Sequence, residues 1–207
     1  MPRQNRVTPF GELIATPARG TLMGNRGCLH DASGRIVRQT RLNAWIYCLL
    51  EFKGRRRTVM SPGRYTELFF LDEATALAAG HRPCAECQRG RYKEFMRCWG
   101  EGNRELWEGE KLRAPVVDAV LQRERMGKGG EKVKWKAKLG ELPVGVMVEV
   151  GEKKAGVVVE GGMREWRAKG YGMLGNMEKS ENVDVLSSKS IVSAIRMGFS
   201  PQFGVSR

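Results

Sequence analysis

The sequence predicts an α+β protein, with N-terminal β-hairpins leading into two helices and a small β-rich unit that closes on a last helix. Three observations predict it. Residues 8–70 are short apolar runs cut by turn residues at Gly20, Gly24-Asn25-Arg26-Gly27, Asp31-Ala32-Ser33-Gly34, Lys53-Gly54 and Ser61-Pro62-Gly63, which is the punctuation of hairpins. Helical spacing then takes over, with Tyr92, Phe95, Met96 and Trp99 on one side of residues 91–99. Beyond residue 135, strand-like runs return at 144–150, 156–160 and around Arg164-Glu165-Trp166.

Taken in order, Trp45 to Phe52 is the strongest strand, and it turns at Lys53-Gly54 into residues 55–60. Phe69, Phe70 and Leu71 read as a buried strand end. Asp72 then suits an N-cap, the alanine-rich turns favour helix, and Gly80 stands where a left-handed C-cap is wanted. Residues 116–126 form a further helix with Val117, Val120 and Leu121 on one side, ended by Gly127-Lys128-Gly129-Gly130. That glycine run lacks the spacing of a phosphate-binding loop and follows a helix instead of a strand, so it reads as a linker over 127–134. The division expected is therefore 1–126, linker, and 135–207. The last helix spans 188–197, with Ser188 near its N-cap and Gly198 at C′.

The chemistry concentrates where the first short helix stops at Pro83 and runs into Cys84-Ala85-Glu86-Cys87. Two cysteines separated by two residues can turn both sulfurs toward one ion, and two further ligands complete a tetrahedral zinc site. Cys28 and His30, two apart in an extended segment, would project from one face and could supply them, with Asp31 orienting the imidazole. Cys48 shares a strand face with Ile46, Leu50 and Phe52. It reads either as a buried thiol or as the best substitute ligand, should His30 prove catalytic. Cys98, beside Trp99, reads as core, and His81 as a structural residue at the helix end or a phosphate contact. Hairpins, knuckle and following helix together resemble a treble-clef arrangement.

The run from Thr66 to Gln88, with its aromatic pair, Glu/Ala-rich helix, Ala78-Ala79-Gly80 and Arg82-Pro83-Cys84-Ala85-Glu86-Cys87-Gln88, resembles the metal-binding domain of Ada-type DNA repair proteins, which demethylate phosphotriesters. The likeness covers about residues 66–88. It implies an Ada-like zinc domain over 1–126 that contacts DNA and in which a metal-bound thiolate accepts a methyl group. The family takes its other two ligands from a second cysteine pair shortly upstream, whereas residues 55–65 hold no cysteine.

Charge points to the same kind of partner. The chain of 207 residues has a formal charge of +13. Residues 1–60 alone carry eleven Lys and Arg against three Asp and Glu, and ten of the eleven are Arg, whose planar fork matches phosphate. A polyanion is the expected partner, DNA ahead of RNA. Arg55 and Arg57, leaving the strongest strand, are the best backbone-contacting candidates, since strand alternation sends Arg56 to the other face. Arg26, Arg38, Arg41 and Arg82 support them.

No apolar run is long enough to cross a bilayer, so no membrane partner is expected. The basic start has no apolar segment behind it, and an odd five cysteines fit a reducing cytoplasm better than a disulfide framework. Three functions remain open: a zinc protein that binds nucleic acid in DNA repair or maintenance, a treble-clef nuclease with His30 as general base and Asp31 or Glu51 holding magnesium, and a structural zinc adaptor.

Overall fold

The computed structural model describes residues 1–55, 58–109, 111–173 and 178–204. The chain is mixed α+β, with two six-stranded sheets and four helices among these residues. Strands β1 (Gln4–Val7), β2 (Leu13–Ala15), β3 (Leu22–Asn25), β4 (Ile46–Leu49), β5 (Leu68–Phe70) and β6 (Arg82–Pro83) form the first sheet, in the order β2-β1-β5-β3-β4-β6. The β4 strand is shorter than the apolar run suggests. The described residues between Leu50 and Met60 form turns and loop, not a return strand.

Three helices follow from this sheet. Helix α1 (Glu73–Ala78) starts where the Asp72 carboxylate accepts the Thr75 N–H at 2.9 Å, satisfying one of the first-turn donors. It ends at Gly80, whose φ of +86° only glycine adopts cheaply; a Cβ there would also lie 2.6 Å from the Arg125 side chain. Helix α2 (Arg89–Gly102) runs past both ends of the periodic stretch and buries Phe95, Cys98 and Trp99. Helix α3 (Ala114–Arg125) buries Val117, Val120 and Leu121, as their spacing requires.

The second sheet holds β7 (Trp135–Lys138), β8 (Met147–Gly151), β9 (Lys154–Val159), β10 (Gly162–Arg167), β11 (Gly170–Met173) and β12 (Asn182–Val185), ordered β11-β10-β9-β8-β12-β7. Helix α4 (Lys189–Arg196) closes the chain between Ser188 and a left-handed Gly198. Among the described residues no helix is long and apolar enough to cross a membrane.

Residues 127–134 divide the two sheets, but they are not an open linker. Met126 bridges Lys132, the Gly127 N–H donates to the Glu131 carbonyl and the Gly130 N–H to the Gly127 carbonyl, which closes a tight hairpin. The hydrophobic core runs across this segment: Phe95, Trp99, Val117 and Leu121 belong to one buried cluster with Val146, Val185, Ile191 and Phe199. Helices α2 and α4 pack so closely that a Cβ at Gly102 would stand 2.7 Å from the Ser193 carbonyl oxygen. Polar links tie the halves further, since the Tyr171 hydroxyl donates to Asp72 at 2.6 Å and the Gln202 N–H donates to Glu73 at 2.8 Å.

Candidate metal centre

The geometry starts from the alternation of β4. Tyr47 points into the core and is fully buried, so Cys48 points to the opposite face of the sheet. On that outer face the register aligns Phe69, Met23 and Cys48 across β5, β3 and β4. Strand β6 lies parallel to β4, and the Cys84 N–H donates to the Tyr47 carbonyl at 2.9 Å. The knuckle then turns, the Gln88 N–H reaching back to the Cys84 carbonyl at 3.1 Å before α2 begins.

This brings the sulfurs of Cys48, Cys84 and Cys87 within 4.8 Å of one another. Three thiolates on one zinc ion stand about 3.8 Å apart, as Zn–S bonds of about 2.3 Å at tetrahedral angles require. The group is therefore compatible with three sulfurs on one metal ion. A hydrogen bond from Cys48 holds the Cys84 thiol down to about 5, helped by the backbone N–H groups of Cys87 and Glu86. The same bond pushes the Cys48 thiol well up, and burial raises Cys87. Cys84 thus has the most acidified thiol of the three, hydrogen-bonded by Cys48 and by its own knuckle.

The three cysteines line a cavity of about 500 Å³. Met23, Ile46 and Phe69 from the outer sheet face, with Phe52 and Tyr65 from the loops, form its apolar wall. Arg55 stands at the rim, donating to the Glu86 carboxylate at 2.6 Å and stacking 5.5 Å from the Phe52 ring centre. The site therefore joins three thiols that could hold a soft metal to an open pocket with an apolar wall, whose charged lining among the described residues is Arg55 with Glu51, Glu67 and Glu86. Within the described residues the cysteine cluster offers three protein ligands, which leaves a fourth position on a tetrahedral ion for a water or a substrate.

Cys28 and His30 are not part of this cluster. The Cys28 thiol donates to the His30 carbonyl at 3.6 Å, and the buried His30 ring contacts the Thr66 hydroxyl through Nδ1 at 2.6 Å and the Ser61 carbonyl through Nε2 at 3.2 Å. Asp31 caps its own turn, accepting from Ser33 and Arg35, instead of orienting the imidazole. Cys98 is fully buried, as expected of core. His81 is buried against Phe70 and Trp45, and burial pushes its pKa well below the ordinary value, so it is a neutral ring and no phosphate contact.

The arginines divide. Arg38, Arg41 and Arg55 are exposed. Arg82 is buried in a two-pronged pair with Asp118, at 2.7 and 2.8 Å, and Arg26 is buried on Trp45, so neither reaches a phosphate backbone from the surface. Arg57, with Arg56, lies outside the described residues.

No family model matches the chain, and neither the curated proteins nor the solved structures give a match.

Proposed function

We propose that the chain is a zinc protein of DNA repair or maintenance, in which Cys48, Cys84 and Cys87 hold the ion and the adjoining cavity receives an alkylated nucleic-acid group. The observation that carries this reading is the three sulfurs within 4.8 Å of one another at the wall of an open cavity. Zinc, when bound, keeps the thiols deprotonated at neutral pH and leaves them nucleophilic. The fold then contributes position. Cys48 is fixed by a sheet strand, Met23, Phe69 and Phe52 give the cavity an apolar wall, and Arg55 at the rim would exchange its pairing with Glu86 for a phosphate. In a methyl transfer, a cysteine sulfur forms the new S–C bond as the C–O bond of a methyl phosphotriester breaks, and the phosphodiester leaves as its anion.

The resemblance over residues 66–88 supports the same chemistry, with Cys48 from β4 as a third sulfur. Arg38, Arg41 and Arg55 and the net charge of +13 support a nucleic-acid partner. The nuclease reading is weaker, because both ring nitrogens of His30 are engaged by Thr66 and Ser61. The test is incubation of zinc-loaded protein with DNA carrying methyl phosphotriesters, followed by peptide mass spectrometry. A methyl group on Cys48, Cys84 or Cys87 supports the reading. Unmodified cysteines in protein that binds zinc but not DNA would leave the structural adaptor.

A further inference from the structure

A second cavity, of about 660 Å³, opens on the core-facing side of the first sheet, next to the hairpin at residues 127–134. It shares no lining residue with the cysteine cavity. Arg26 and Trp45, just beyond β3 and β4, continue the inward parity of Gly24 and Tyr47, which is opposite to that of Cys48.

The cations of this cavity are placed unusually. The guanidinium carbons of Arg26 and Arg125 lie 3.8 and 3.9 Å from the Trp45 ring centre, and both residues are 1% exposed. Lys132 reaches in from the hairpin and donates to the Ala78 carbonyl at the end of α1. All three are hydrogen-bonded to neutral acceptors. Arg26 donates to the Gly11 carbonyl and to His81 Nε2, and Arg125 to the Gly80 and Asn43 carbonyls and to Gln122. Asp118, whose charge acts on Arg125, is already held by Arg82.

Two donors remain without a partner in the buried part of this group: Nη2 of Arg26 and Nε of Arg125. Buried charge that is neither paired nor fully hydrogen-bonded is costly, and its persistence calls for a counter-ion. Burial, with Arg125 as neighbour, pushes Arg26 down to about 9, and burial with Arg26 and Arg125 pushes Lys132 down to about 7. Farther out, Lys134 is paired with Glu149, while Lys153, Glu12 and Glu131 complete the charged lining. With Lys132 protonated, as a bound anion would hold it, five cations against three carboxylates give the cavity a formal charge of +2.

We infer that this cavity is an anion site for a phosphate monoester or pyrophosphate group, held by Arg26, Arg125 and Lys132. A dianion matches the residual charge, whereas a single carboxylate would offset half of it. Guanidinium edges and an ammonium are the donors that phosphate oxygens take best. The volume admits a molecule of nucleotide size, with Gln4 and Gln39 on the walls as further polar contacts. The inference does not depend on the metal centre.

Calorimetric titration of the purified full-length chain with inorganic phosphate and with pyrophosphate tests it, at ionic strength held constant with chloride. Saturable binding is expected, with pyrophosphate the tighter of the two. Lys132→Gln, which keeps a donor for Ala78, should weaken it about tenfold, and Arg26→Gln should weaken it further. Should Arg26→Gln fail to fold, the Lys132→Gln titration and phosphorus NMR of the wild type decide the matter. Competition by a 5′-phosphorylated oligonucleotide, but not by its unphosphorylated counterpart, would identify a nucleic-acid end as the source; competition by a free nucleotide alone would identify a small molecule. Absence of saturable binding above the chloride control, or wild-type affinity in Lys132→Gln, overturns the inference.

Discussion

The backbone N–H of Cys84 donates to the carbonyl of Tyr47 at 2.9 Å, and this one bond sets the cysteine knuckle beside Cys48. It follows from the parallel pairing of β6 with β4, Tyr47 opposite Pro83. A short strand thus carries a sequence-local motif to a third cysteine 36 residues earlier in the chain.

Metal content should follow the three-sulfur cluster and not the extended segment. Cys48→Ser, Cys84→Ser and Cys87→Ser should each lower zinc affinity by more than the about 10- to 100-fold that loss of a supporting partner costs. Cys28→Ser should retain wild-type zinc, measured by elemental analysis of reduced protein. Normal zinc in Cys48→Ser would move the site elsewhere.

Nucleic-acid binding through the exposed arginines should depend steeply on salt. Replacing Arg38, Arg41 and Arg55 by Ala should reduce the slope of log affinity against log salt by about one for each phosphate that is no longer neutralised. Fluorescence anisotropy across a salt series reads this. An unchanged slope would place the phosphate-binding cations elsewhere on the surface.

Breaking the buried pair of Arg82 and Asp118 should be severe. Asp118→Asn leaves the Arg82 guanidinium buried without its counter-charge, a change that costs about 3–5 kcal/mol. Chemical denaturation should show the loss, and the double variant Arg82→Met with Asp118→Leu should recover most of it. A single variant as stable as wild type would mean that solvent reaches Arg82.

Stability should rise with pH through the range in which Lys132 loses its proton in the folded state but not in the unfolded one. Burial and the nearby Arg26 and Arg125 lower its folded pKa from the ordinary 10.5 to about 7. The unfolded chain therefore binds more protons between these values, and unfolding becomes less favourable as pH increases. The difference in stability between wild type and Lys132→Met, followed from pH 7 to 10 in phosphate-free buffer, should shift in favour of wild type. A flat difference would show that Lys132 keeps an ordinary pKa.

Local structure was legible wherever a cap or a period specified it. Asp72 and Gly80 bound α1 because a carboxylate satisfies a first-turn N–H and glycine accepts a positive φ. Ser188 and Gly198 flank α4, where Gly198 takes the positive φ but the Ser188 hydroxyl makes no capping bond, and Val117, Val120 and Leu121 marked the buried side of α3. The cysteine knuckle was equally legible, since its two thiols are three residues apart. Strands β7, β11 and β12 carried no such signal, because Trp135–Lys138, Gly170–Met173 and Asn182–Val185 are only four residues each; β7 and β12 pair with each other across more than forty residues, and β11 is half glycine.

What only the tertiary structure decided is which residues stand next to one another across long loops. Alternation within a strand gave Cys28 and His30 one face, but the fold engages the His30 ring with Thr66 and Ser61 and the Cys28 thiol with the His30 carbonyl, while β4 delivers Cys48 to the knuckle. Charge counting likewise could not separate exposed Arg38 and Arg41 from buried Arg26 and Arg82, because an arginine's role is set by the carboxylate or ring that the fold brings to it. Spacing along the chain determined helix ends and two of the three clustered cysteines; the pairing of strands far apart in sequence determined the third sulfur and the buried cations.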